Sequence, residues 1–230
     1  MIILAIETAT EACSAAVYDA GVVHERYRLA PREHNRLILP MIEEVLAEAG
    51  VALRQIDAVA FGRGPGSFTG VRIAAGVAQG IAFGAGLPVV PVSTLAALAA
   101  EALEECAVDW VFPCIDARKG EVYCAAYRRD DKGRPEPSGA ERVIPADQFE
   151  FPPFGRGAGI GSGWATYRPV LTARAGQGGL AILDDRLPRA SHVARLGADG
   201  FARGRVVPAT EALPVYLRDE VAKRPFRASD

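Results

Sequence analysis

The sequence predicts an α/β protein of two lobes. Three observations carry that prediction: short continuous apolar runs, helix-period segments between them, and a pattern that restarts near the middle of the chain. Ile2 to Ile6 is a continuous apolar run, as a strand buried on both faces requires. Glu7-Thr8-Ala9-Thr10 turns the chain, Ala12 to Tyr18 returns as a second strand, and Gly21 opens a third that ends near Leu29. From Asn35 to Ala49 the pairs Leu37/Ile38, Met41/Ile42 and Val45/Leu46 recur at helical spacing, with Pro40 placed early or at a kink. Asp57 to Phe61 reads as a buried strand, Val71 to Ala85 as a helix and Leu87 to Val92 as a strand. Ser93 then caps a helix that runs to about Glu105.

The restart begins at Val111. Val111 to Ile115 is a buried strand, Asp116 an acidic turn, and Glu121 to Tyr127 a returning strand. With Ile6-Glu7 laid on Ile115-Asp116, Ala16 falls on Ala125 and Tyr18 on Tyr127. Strand, acidic turn, strand occurs twice, which points to a duplication with lobes at 1–106 and 107–230. Residues 128–140 form a polar hairpin tip, a short strand falls near Gly157 to Ile160, and 172–190 carries little pattern. Asp199 to Arg205 reads as a helix end, and PVYLRDEV closes the chain as a strand or extended tail.

Half of the 230 residues are apolar and the formal net charge is −2, so composition gives no case for autonomous nucleic-acid binding. Cys13, Cys106, Cys114 and Cys124 form no CxxC pair and sit in apolar runs, which fits buried thiols in a reducing compartment. No uncharged apolar run reaches the about 18–20 residues of a membrane span. A cytoplasmic protein with no membrane contact is expected.

The stretch GRGPGSFTGVRIAAG, Gly62 to Gly76, has the look of a phosphate cradle. It has no lysine for a P-loop, Thr69 stands where a dinucleotide fingerprint needs its third glycine, and Pro65 stands two residues before Ser67, where a nucleophile elbow needs glycine. What remains is a rigid Pro-Gly turn, with Ser67 or Thr69 capping the next helix or exposed amides holding an anion. Glu7 and Asp116, each at a strand end, are the acidic candidates; they would bind magnesium in a phosphotransferase or accept hydrogen bonds from their own turns. His24, His34 and His192 show no i, i+4 pair. Gly76, Gly80 and Gly84 lie inside one helix, where each costs about 1 kcal/mol against alanine. Close packing explains them, either on the chain's own sheet or on another subunit's helix.

These residues resemble the TsaB (YeaZ) family, relatives of TsaD and the glycoprotease-like proteins in the ASKHA (actin/hexokinase-like, ribonuclease H-like) superfamily. The segments LAIETAT, GRGPGSFTGVRIA, PVVPVSTLAAL, CIDARKGEVY and PVYLR carry the resemblance over the whole chain. It implies a duplicated ASKHA fold with two lobes and mixed sheets. It further implies a non-catalytic partner of TsaD, acting with the ATPase TsaE to form threonylcarbamoyladenosine at position 37 of tRNAs that read codons starting with A. The tRNA would be met through the complex, and homodimers would form without TsaD. The signature loop is Gly64, Pro65, Gly66, Ser67, Thr69 and Gly70. The implied partner interface is Leu37, Ile38, Met41, Ile42, Val45, Arg72, Ala75, Gly76, Gln79, Gly80 and Phe83, with part of the apolar band of the Asn35–Ala49 helix exposed in a monomer. In TsaD-like proteins a V-N-H-L-x-x-H run binds the catalytic metal; here the run is Val92-Ser93-Thr94-Leu95-Ala96-Ala97-Leu98, so Thr94 and Leu98 hold the ligand positions. No metal or cofactor is implied, and Glu7, where the family usually has aspartate, joins Asp116 as a vestigial acidic turn. The competing reading is a nucleotide-binding phosphotransferase or a glycoprotease-like peptidase built on those two acids.

Overall fold

The computed structural model describes residues 1–176 and 179–218. Its first sheet is built from β1 (Ile2–Glu7), β2 (Ala12–Asp19), β3 (Val22–Leu29), β4 (Ala58–Gly62) and β5 (Val89–Val92), in the order β3-β2-β1-β4-β5. The first three strands are antiparallel, while β4 and β5 run parallel to β1. Its second sheet repeats that order with β6 (Trp110–Arg118), β7 (Glu121–Cys124), β10 (Arg142–Pro145), β11 (Arg156–Ile160) and β12 (Gly179–Leu183), as β10-β7-β6-β11-β12. The polar tip folds as β8 (Tyr127–Arg129) and β9 (Pro135–Pro137), with β8 pairing to β6. The duplication is therefore structural, and both sheets are mixed.

The register of the repeat differs from the sequence alignment by one residue. Glu7 pairs with Ser14, but Asp116 pairs with Val122, and the pairing is irregular between Asp116 and Arg118. The second hairpin closes one residue sooner, so Ala16 corresponds to Cys124 rather than Ala125. Tyr127 lies in a separate strand.

Each sheet is covered on both faces. Helix α1 (His34–Ala49) and α2 (Phe68–Ala85) cover one face of the first sheet through Ile38, Met41, Val45, Ala74 and Ala78. Gly50 ends α1 in left-handed backbone, where its N–H closes on Ala47 and Leu46 carbonyls. Helix α2 is the one described helix long and apolar enough to cross a membrane, yet its alanine face packs on β4. The remaining helices change sides. Helix α3 (Thr94–Glu105), capped by Ser93 accepting the Ala96 N–H at 3.1 Å, packs on β6 and β11 of the second sheet. Helix α5 (Ala190–Ala202) packs on β1, β2 and β4 of the first. Helix α4 (Ser162–Ala175) covers the other face of the second sheet around the buried Trp164.

Cys13, Cys114 and Cys124 are buried, and all four cysteines are free. Residues 214–218 form no strand, and the Val215 N–H donates to the Arg63 carbonyl at 2.8 Å; the rest of PVYLRDEV lies outside the described residues.

Candidate functional site

The acidic turn and the signature loop form one packed unit. Glu7 is fully buried; its Oε1 accepts the Ala9 N–H at 2.7 Å and its Oε2 the Thr94 hydroxyl at 3.1 Å. Burial raises its pKa to about 7, against the pull of the Ala9 amide and the Thr94 hydroxyl. The loop presses on this turn from above. The Ser67 N–H donates to the Ala9 carbonyl at 2.7 Å, and the Thr8 hydroxyl to the Gly70 carbonyl at 2.7 Å. A Cβ at Gly62 would run into the Glu7 carboxylate, one at Gly66 into the Ala9 carbonyl and one at Gly70 into the Thr8 carbonyl. The glycines are there so that two backbones can touch.

Side-chain capping of α2 is corrected: Ser67 is the N-cap residue but makes no capping bond, and Thr69 is exposed. The turn is held instead by the Ser67 amide on Ala9. Pro65 is buried, and Gly64 takes left-handed backbone.

Asp116 does accept from its own turn. Its carboxylate takes the Arg118 N–H at 2.8 Å and the Tyr167 hydroxyl at 3.2 Å. It lines a cleft of about 770 Å³ between the lobes, together with Thr10, Glu11, Ser67 and Ser162. Glu7 does not line that cleft, so the structure does not bring the two acids into one catalytic pair. At the positions of the metal-binding run, Thr94 is spent on Glu7 and Leu98 is fully buried in the core under α3.

The α1/α2 face departs from the exposed band expected of it. Ile38, Met41, Ile42 and Val45 are buried in the chain's own core, with Met41 only 4% exposed, and Leu37 is half-buried. A helix lying on a sheet turns its widest apolar stripe inward, and periodicity alone does not say how much is left outside. Ala75 is also buried, and Gln79 donates to the Ala212 carbonyl at 3.1 Å. What stays outside is Gly76, Gly80, Gly84 and Phe83, the last 78% exposed. Among the described residues, a Cβ at any of those three glycines would meet nothing within 4 Å. The chain's own sheet therefore does not explain them. Arg72 lies over the Phe68 ring at 3.4 Å and donates to the Tyr216 hydroxyl at 2.8 Å. Phe68 and Tyr216 escaped the sequence reading because Tyr216 comes from the far end of the chain, and Leu39, 51% exposed, because it falls off the helical stripe.

Residues 3–152 match a family model described as TsaD, tRNA N6-adenosine threonylcarbamoyltransferase. Over 96% of its length the chain is 43% identical to the tRNA threonylcarbamoyladenosine biosynthesis protein TsaB of Escherichia coli (strain K12), of which it covers 96%. The chain belongs to the TsaB family. It is 40% identical to the TsaB protein of Haemophilus influenzae over 95% of this chain and 94% of that protein. The solved structure of YeaZ from Pseudomonas aeruginosa superposes with a TM-score of 0.88 at 42% identity, covering 94% of this chain and 99% of that one. The packed acidic turn, the signature loop and the outward glycines are thus features of a TsaB-family chain.

Proposed function

We propose that this chain is a non-catalytic subunit for forming N6-threonylcarbamoyladenosine in tRNA, and that it pairs with a TsaD-type transferase through the outer face of α2. The observation that carries the reading is the glycine stripe. Gly76, Gly80 and Gly84 each cost a helix about 1 kcal/mol, and among the described residues nothing comes near enough to require them. A partner helix laid along Gly76, Gly80 and Phe83 gives them a use, with Arg72 and Gln79 at its margin. A second copy of the chain takes that place when the transferase is absent, and TsaE joins the pair in the cytoplasm. The buried Glu7, with Thr94 and Leu98 where relatives of TsaD place metal ligands, fits a chain without the transfer chemistry. The functional lobes are 1–106 and 107–230.

Gly80→Leu tests the reading. Among the described residues no neighbouring element lies within 4 Å of where the new side chain begins, so the melt of the isolated chain should not fall. Capture of the TsaD-type transferase, measured by light scattering after size exclusion, should weaken along with threonylcarbamoylation by the reconstituted system. Wild-type capture by Gly80→Leu would overturn the proposed interface.

A further inference from the structure

The cleft between the lobes holds features that partner pairing leaves unused. Among the described residues, five non-glycine residues adopt left-handed backbone: Ala20, Arg32, Arg118, Lys119 and Asp185. Four of them line this one cleft, and three of the four are cations. Glycine would take such backbone freely, whereas a long side chain strains it. Arg32 comes from the link between β3 and α1, Arg118 is the last residue of β6, and Lys119 stands in the turn to β7. Distant stretches of sequence thus bring strained cations to one mouth.

Two exposed aromatic rings share the cleft lining. Phe68 and Tyr216 are 42% and 43% exposed, with ring centroids 5.6 Å apart. Arg72 fixes both, its guanidinium over Phe68 and its Nε donating to the Tyr216 hydroxyl. Rings held in place beside cations are the composition of surfaces that stack unpaired bases and hold their phosphates.

The charge balance limits what can bind. Glu11, Asp116 and Asp185 also line the mouth; Arg118 already pairs with the first two, at 3.1 Å each, and among the described residues Asp185 has no ion pair and offsets part of the free positive charge. Arg218 is taken by Glu121 and by the Ala117 carbonyl. Among the described residues no ion pair involves Arg32 or Lys119. A mouth with so few free cations holds few phosphates, so stacking must supply most of the affinity. A volume of about 770 Å³ suits a splayed nucleotide and not a duplex.

We propose that this mouth binds an unpaired stretch of RNA, its bases stacked on Phe68 and Tyr216 and its phosphates beside Arg32 and Lys119. The choice of RNA as the ligand rests on the tRNA-modification reading above.

The test titrates the full chain with a fluorescently labelled single-stranded oligoadenylate, with duplex RNA, and with AMP as competitor. Saturable single-strand binding with a shallow salt dependence is expected. It should weaken at least about fivefold in Phe68→Ala and in Tyr216→Leu, with melts near wild type. Arg32→Ala with Lys119→Ala should flatten the remaining salt dependence. Absence of saturable binding, equal binding of the duplex, AMP competing as well as the oligonucleotide, or stacking variants that bind like wild type would each overturn the proposal. Capture of the transferase is scored separately. Aromatic variants that lose capture but keep RNA binding would make these rings partner surface and overturn the assignment. Should the wild-type chain bind oligoadenylate yet fail to capture the transferase, the partner reading falls and this one stands.

Discussion

Glu7 ends the first strand with its carboxylate sealed between Gly62, Ala9 and Thr94, and that enclosure sets how the protein responds to pH. Because its folded pKa, about 7, lies above the ordinary 4.5, the fold binds this proton more tightly than the unfolded chain does. The contribution is fully present below pH 4.5 and is lost as the pH rises through 7. A displacement of that size is worth on the order of 3 kcal/mol. Glu7→Gln keeps an oxygen for the Ala9 amide and carries no charge to desolvate. It should therefore melt higher than wild type above pH 7, with the gap closing as the pH falls toward 4.5. Parallel melting curves for the two proteins across that range would show that Glu7 is not held as described. The sequence made Glu7 conspicuous as an acid at a strand end. It gave no sign of the enclosure, because Thr94 is 87 residues away and the glycine at position 62 reads locally as part of a loop.

At the scale of elements, periodicity identified α1 and α2 but could not say which way they face. Helix α1 turns Met41 inward, so Met41→Glu should behave differently from a surface change. Placing a carboxylate without a partner in that core should cost on the order of 3–5 kcal/mol and lower the melt of the isolated chain. A variant that melts like wild type would mean that α1 does not bury this face. Gly80→Leu makes the opposite case, since it should disturb pairing and leave the melt alone. Helix α4 and strand β12 were illegible for a different reason. Pro169 lies within α4, Tyr167 has non-helical backbone there, and only Gly163, Trp164 and Leu171 are buried, too few to make an apolar stripe. Trp164 holds α4 instead, its indole N–H donating to the Phe112 carbonyl at 2.7 Å, a contact no local pattern announces. The cleft cations were hidden in the same way, since Arg32 and Lys119 stand in short links whose convergence depends on the whole topology.

On the scale of the molecule, the repeat was visible in the sequence, but the exchange of helices between the repeats was not. A boundary near residue 107 separates the two sheets and also cuts across both cores. Helix α5, from the second half, covers Ile3, Ala5, Ala58, Ala60 and Val90 of the first sheet. Helix α3, from the first half, buries Leu95, Leu98 and Ala102 against Val111, Ile115 and Ile160 of the second. Residues 1–106 expressed alone would expose the uncovered sheet face and the unpacked face of α3 together. A contiguous apolar surface of that kind drives association. The fragment should therefore be insoluble, or give a collapsed amide NMR spectrum without native dispersion. Residues 107–230 should fail likewise, because α5 would have no sheet to cover. Mixing the two fragments during refolding should restore both exchanged contacts and recover a dispersed spectrum. If 1–106 alone gives a dispersed spectrum and a cooperative melt, the lobes fold independently and the exchanged helices are not what completes them.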